Sequence, residues 1–148
     1  DGFEHDLVRY EAWKYRDWVI DALDRDLPYD EFVKLQIAGD LLHPGDEFST
    51  IATGFALCGP DMPDINLVEE RRHMVLNDVS ATVGSVFLGL QMGCAECHDH
   101  KYDPISQADF YRLRAFFESA LEEMGARHHR FRAEGASAYL FELDRTAP

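Results

Sequence analysis

The sequence predicts a mainly α-helical fold: a single helical domain over residues 1–148, with little or no sheet. Three observations lead to this prediction. Apolar residues recur at helical spacing in five segments, and Gly, Pro and capping residues separate these segments. Hydrophobic residues make up 46% and charged residues 28% of the 148 residues, which is typical of a soluble globular domain of this size.

The first two predicted helices lie in the N-terminal third of the chain. One covers about residues 12–25, and the stretch DLPYDEF breaks the helical pattern after it. Asp30 is the predicted N-cap of the second helix, which HPGD ends. Their apolar residues are Trp13, Trp18, Val19, Ala22 and Leu23 in the first helix, and Phe32, Leu35, Ile37, Ala38 and Leu41 in the second.

A short helix, a long helix and a last helix are predicted to follow. The short helix carries Phe48 and Phe55, and the prolines of CGPDMPDIN predict a loop after it. The long helix covers about residues 67–90, although Gly84 and Gly89 weaken its final turns. Ser106 is the predicted cap of the last helix, which ends near residue 125, and SAYLFEL beyond it favours a short strand.

The formal net charge of −14 limits the classes of partner. A chain this acidic repels phosphate backbones and anionic lipids, so we expect no nucleic-acid partner. No apolar run approaches the roughly 18 residues of a spanning helix, so we expect no membrane insertion. Basic proteins, cations or solubility alone remain as explanations of the charge.

The stretch GCAECHDHKYDPIS, residues 93–106, carries the chemistry. Cys94, Cys97 and His98 fit the pattern C-x-x-C-H, which is typical of c-type haem attachment. Two thiols within one helical turn can add to the two vinyl groups on one edge of a porphyrin. The adjacent imidazole of His98 then reaches the iron as the proximal axial ligand. The motif therefore predicts one covalently bound haem c, with the helical domain wrapped around it.

Other interpretations of the two cysteines stay open. A zinc site needs four ligands, and Cys58 is the only further cysteine. A redox dithiol favours a strand-to-helix setting, which the sequence does not predict. The apolar residues around the motif would suit a flat hydrophobic cofactor, or they pack only on each other. They are Phe87, Leu88, Leu90, Tyr102, Phe110 and Phe116.

Further residues are candidates for contacts with the haem. Lys101 is the candidate partner of a haem propionate, with help from Arg112 or Arg114. His5 is the candidate distal iron ligand, because nothing local excludes it, and an open sixth position is the alternative. Seven further histidines and methionines are less suitable, because they lie too close to the motif, too far along a straight helix, or without positive support. They are His43, Met62, His73, Met92, His100, His128 and His129.

Three stretches together carry a family resemblance. AWKYRDWVIDALDRDLPYDEFVKLQIAGDLL, IATGFALCGPDMPDINLVEERRHMVLNDVSATVGSVFLGL and GCAECHDHKYDPISQADFYRLRAFFE resemble the planctomycete-type cytochrome c domain of unknown function. The resemblance covers about residues 1–120, and residues 86–117 are its most specific part. It implies covalent haem on Cys94 and Cys97, an axial His98, and an extracytoplasmic setting such as the periplasm. It also implies further domains of the same native polypeptide, so we expect this chain to be a fragment or processed part of a larger protein.

These observations predict a monohaem c-type cytochrome module that transfers electrons to a redox partner protein. Because the surface of the chain is acidic, we expect this partner to be basic. One alternative is a five-coordinate haem that binds a small ligand or peroxide. The other is a haem that only stabilises the fold of a larger secreted complex. The sequence contains no Ser-His-Asp order, phosphate loop or paired-carboxylate motif, so an electron-transfer protein is favoured over an enzyme.

Overall fold

The computed structural model describes residues 10–59 and 67–118, and this part of the chain is helical and contains no strand. The mainly α fold class is therefore confirmed. The described residues fall into two compact units, 10–59 and 67–118. The single domain over residues 1–148 stays a prediction. The expected strand SAYLFEL and the end of the last helix near residue 125 lie outside the described ranges.

Three helices and a 3₁₀ turn build the unit 10–59. Helix α1 covers Ala12–Asp24, α2 covers Tyr29–Leu42 and α3 covers Glu47–Ala52, and the 3₁₀ turn Thr53–Leu57 follows α3 directly. Their core forms around the buried Trp18. Its ring centroid lies 5.5 Å from that of Phe32 and 5.3 Å from that of Phe48, so one indole joins all three helices.

The start of α2 differs from the prediction. Pro28 precedes the helix as its N-cap, and Asp30 lies inside the first turn. Proline suits this place because its fixed φ is compatible with the chain that enters a helix. The Asp30 carboxylate instead accepts a hydrogen bond from the Lys34 ammonium at 2.8 Å, which lowers the pKa of Asp30.

In the unit 67–118, helix α4 covers Val68–Leu88 and a second 3₁₀ turn covers Met92–Glu96. A further helix, α5, covers residues 107–118 up to the edge of the described range. The predicted long helix is confirmed, although it ends about two residues early. Gly89 has a φ of 66°, which is the left-handed conformation that ends a helix and that glycine adopts most readily.

Gly84 brings the second 3₁₀ turn onto the end of α4. A Cβ atom at Gly84 would lie 2.3 Å from Cγ and 2.7 Å from Cβ of Met92. Only a residue without a side chain allows Met92 to pack there, where it is buried with Ala95, Ile105 and Phe110. The glycine that weakens the helix by propensity is therefore required by packing.

A reciprocal cap fixes the start of α5, as Ser106 predicts. The Ser106 hydroxyl accepts the Asp109 backbone N–H at 3.2 Å, and the Asp109 carboxylate accepts the Ser106 backbone N–H at 3.0 Å. This is the capping-box arrangement, in which two helix-end donors are satisfied together. The hydrogen bonds from Ser106, supported by Arg112, lower the pKa of Asp109.

Candidate functional site

One cysteine of the motif lies within the second 3₁₀ turn, and the other lies directly after it. Cys94 belongs to the turn and Cys97 follows its last residue. Both thiols are free and exposed. The turn thus presents two unbridged nucleophiles to solvent from a short segment that Met92 and Ala95 anchor in the core beneath it.

His98 is exposed next to these thiols, and its ring orientation is defined by one contact. Its Nδ1 atom lies 2.7 Å from the backbone carbonyl oxygen of Asp99. A carbonyl oxygen can only accept a hydrogen bond, so the contact assigns the ring proton to Nδ1. The lone pair then lies on Nε2, and this is the arrangement that histidine adopts as a metal ligand.

His100 has the opposite arrangement. Its Nδ1 accepts backbone N–H groups from Asp103 at 2.9 Å and Tyr102 at 3.3 Å. The Nδ1 lone pair is therefore used inside the turn that leads to α5. Of the two histidines in the stretch, only His98 keeps a ring lone pair that the surrounding backbone does not use.

Glu96, between the two cysteines, connects the motif to both long helices of its unit. Its carboxylate accepts a hydrogen bond from Nδ2 of Asn77 on α4 at 2.8 Å. Its backbone carbonyl accepts Nε2 of Gln107 at 2.9 Å and the Tyr111 hydroxyl at 3.2 Å, both on α5. The segment that carries the thiols is thus held from two sides.

The apolar residues expected around a cofactor fall into two groups. Phe87 and Phe110 are buried, and Phe110 is fully enclosed. Leu88, Leu90, Tyr102 and Phe116 are exposed, Tyr102 by 81% and Phe116 by 78%. The first two residues are structural, whereas the other four are free to contact a flat apolar ligand.

The cationic candidates for a propionate contact also fall into two groups. The exposed Lys101 places its ammonium 5.2 Å from the centroid of the Tyr102 ring, a cation–π contact that leaves the charge in solvent. Arg112 pairs with the Asp109 carboxylate at 2.8 Å, and Arg114 lies 3.0 Å from Nδ1 of His73. Both arginines thus have structural partners within the unit.

The structure bears on three candidates for a second iron ligand. Helix α4 runs unbroken through Gly84, but the chain turns back after Gly89 and Glu96 of the motif contacts Asn77, one helical turn from His73. Distance along the helix therefore does not exclude His73, whose Nδ1 instead accepts a hydrogen bond from Arg114 at 3.0 Å. Met92 is buried in the core, and His100 uses its Nδ1 as described. His5, the candidate distal ligand, lies outside the described residues and stays a prediction, as do Met62, His128 and His129. His43 is exposed at the end of α2.

Sequence reasoning did not single out Asn77, Gln107 or Tyr111. Each pairs with Glu96 across 11 to 19 positions of sequence, and no local pattern indicates such pairs. The carboxylate of Asp99 accepts the first N–H of α5, from Gln107 at 2.7 Å.

Two features are absent from residues 10–59 and 67–118. Within these ranges, no three His, Cys, Asp or Glu side chains converge as a metal-binding group. None of the helices there combines the length and the apolar character that crossing a membrane requires.

The family comparison supports the resemblance at the level of a planctomycete-type family of unknown function. Residues 1–122 match the family PSCyt2, described as "Protein of unknown function (DUF1549)". No curated protein and no solved structure matches the chain. The matched range includes the whole of the site described above and most of the chain, so this protein belongs to the PSCyt2 family, a planctomycete-type family of unknown function.

Proposed function

We propose that the protein is a monohaem c-type cytochrome module that transfers electrons outside the cytoplasm. One observation carries the proposal: two free, exposed thiols are followed directly by an imidazole whose Nδ1 is held by a carbonyl. A covalent haem requires this set of groups, and a structural cysteine pair does not. The extracytoplasmic setting follows from the resemblance to secreted proteins.

The residues of the motif have distinct roles in this proposal. Each thiol of Cys94 and Cys97 adds its S–H across one vinyl group, with sulfur bonding to one carbon and hydrogen to the other. The two thioethers form without net oxidation or reduction. His98 offers Nε2 to the iron, and the Asp99 carbonyl keeps the ring in that tautomer. When bound, haem c supplies an iron centre that takes up and releases one electron.

The surroundings of the motif support a cofactor of this shape. Leu88, Leu90 and Tyr102 are exposed apolar or aromatic groups close to the motif in sequence, and Phe116 is exposed on α5. A porphyrin that covered them would remove apolar surface from water at about 25 cal/mol per Å². Lys101 carries an exposed charge in the same stretch, suited to a propionate carboxylate.

The net charge of −14 supports a basic redox partner. A cationic oxidant should therefore react with the reduced protein faster than an anionic oxidant of similar potential, by about tenfold at low ionic strength. The difference should shrink as salt is added, because exposed charges are screened. Stopped-flow oxidation by both reagents, at low and at physiological salt, measures this.

Spectroscopy of the protein expressed with a haem c attachment system tests the function. Reversible reduction and oxidation of a low-spin haem, with no binding of carbon monoxide, is the result expected of an electron-transfer module. A high-spin reduced haem that binds carbon monoxide readily would replace it with the ligand-binding alternative. A haem that does not cycle, but whose loss unfolds the protein, would indicate a structural role.

A further inference from the structure

One residue outside the C-x-x-C-H motif contacts both ends of the segment that carries Cys97 and His98. The side-chain amide of Gln107 donates to the backbone carbonyl of Glu96 at 2.9 Å. The backbone N–H of the same residue donates to the Asp99 carboxylate at 2.7 Å. Gln107 thus contacts residues 96 and 99, and the thiol and the imidazole lie between them.

The contact at Asp99 extends to the imidazole. The Asp99 carboxylate is held by the start of α5, while its carbonyl accepts the ring proton of His98 at 2.7 Å. A shift of Asp99 would therefore move the acceptor that sets the tautomer of His98. Through this route, the position of Gln107 is coupled to the orientation of Nε2.

Gln107 stands on a rigid support. It is the first residue of α5 and lies between Ser106 and Asp109, the two residues of the reciprocal cap. Phe110, one turn further along, is fully buried against the second 3₁₀ turn. Since capping and burial both resist local opening, α5 provides a fixed point from which the segment 96–99 can be held.

We propose that Gln107 is a positioning residue that orients Cys97 and His98 before any cofactor binds. The meaning of that orientation rests on the proposed haem function, but the contacts themselves exist in the chain alone. Tyr111 gives partial support, because its hydroxyl reaches the same Glu96 carbonyl at 3.2 Å. Unlike Tyr111, Gln107 also contacts Asp99, at the other end of the segment 96–99, through its backbone N–H.

Two substitutions of Gln107 remove the donor in different ways. Gln107→Glu keeps the size and replaces the amide by a carboxylate that cannot donate to a carbonyl, and Gln107→Met removes the donor without adding charge. Gln91 provides the matched controls, Gln91→Glu and Gln91→Met, because it precedes the same 3₁₀ turn and its exposed side chain takes no part in these contacts. Circular dichroism identifies the variants that fold.

The first measurement uses the full chain without haem, near pH 8. Both Gln107 variants keep the backbone N–H to Asp99 but release Glu96, so residue 107 then holds the segment 96–99 at one end only. The ¹⁵N shifts of the His98 ring should therefore report proton on Nδ1 in the unmodified chain and a mixture of tautomers in both variants. The His100 amide, which donates to the Ile105 carbonyl at 2.8 Å, should exchange roughly fivefold faster, as expected for the loss of one hydrogen bond. The Gln91 variants should match the unmodified chain in both readouts.

The outcomes separate this inference from the proposed function. If folded Gln107 variants show the ring shifts and exchange rates of the Gln91 controls, the positioning role is wrong, whether or not haem attaches. If the unmodified chain takes up no haem but the Gln107 variants lose the His98 tautomer, the positioning role stands and the cytochrome function falls. In the haem-loaded protein, the role also predicts a change in reduction potential for the Gln107 variants and none for the Gln91 variants.

Discussion

The side-chain amide of Asn77 donates to the carboxylate of Glu96 over 2.8 Å, and this contact joins α4 to the segment between the two cysteines. Asn77 is only 6% exposed. A buried amide that meets a carboxylate has a defined direction, since only the NH₂ group can donate. The contact therefore fixes the motif against the longest helix of its unit.

Asn77→Asp tests this contact by placing a second carboxylate against Glu96. We expect the free energy of unfolding near pH 7 to fall by about 2 kcal/mol, because a hydrogen bond to a charged group is replaced by repulsion. Repulsion raises the pKa of one carboxyl in the folded state, so stability should recover as the pH is lowered towards about 5. Urea unfolding at both pH values measures this.

Asn77→Ala is the control, since it removes the donor without adding charge. It should be destabilised at both pH values and show no acid recovery beyond that of the unmodified chain. An Asn77→Asp variant as stable as the unmodified chain near pH 7 would show that the contact does not hold the turn.

Phe110 and Phe116 form a second matched pair on α5. Phe110 is fully buried and Phe116 is 78% exposed. Phe110→Ala should lower the free energy of unfolding by about 3–5 kcal/mol, because it leaves a cavity in the core. Phe116→Ala should change it by less than about 0.5 kcal/mol in the haem-free chain. Equal losses in thermal or urea unfolding would mean that Phe116 is also part of the protein core.

The raised pKa of Tyr15 predicts that the unit 10–59 loses stability at alkaline pH. Burial, with a smaller contribution from the charge of Cys58, raises the pKa of Tyr15 to about 12 from its ordinary 10.0. Its hydroxyl also donates to Oε1 of Gln36 at 2.5 Å. The folded chain thus keeps this proton where the unfolded chain loses it, so stability is unaffected below pH 10 and falls as the pH rises from 10 towards 12.

Unfolding by urea at about pH 8 and pH 11 checks the prediction for Tyr15. Tyr15→Phe should lose less stability between the two values than the unmodified chain does. Tyr29→Phe is the matched control, because Tyr29 is exposed, and its loss should equal that of the unmodified chain. Identical pH dependence in all three proteins would place the alkaline loss elsewhere.

The helices could be predicted from the sequence because their signals are local. Ser106 and Asp109 form a capping pair that can be recognised in the sequence. The prediction that Ser106 caps the start of α5 is confirmed. Two boundaries were less accurate for physical reasons. Pro28 takes the position before α2 that Asp30 was expected to fill, and Gly89 ends α4 because it adopts a left-handed conformation that spacing alone does not reveal.

The site could be predicted only in part. Spacing singles out Cys94, Cys97 and His98 as candidates, because the chemistry of two thiols and an imidazole depends on their separation along the chain. The contacts of Glu96 with Asn77 and Gln107 depend on how α4 and α5 meet the turn. The separation of buried Phe110 from exposed Phe116 likewise depends on packing, although both fit the same apolar periodicity.

The intact mass of the protein, expressed with a haem c attachment system and denatured before measurement, tests the proposed function most directly. A cytochrome c module should carry one additional haem mass that survives denaturation. Cys94→Ser with Cys97→Ser should lose it, while Cys58→Ser should keep it. A mass equal to that of the bare polypeptide, obtained while a known cytochrome c matures in the same cells, would contradict the account.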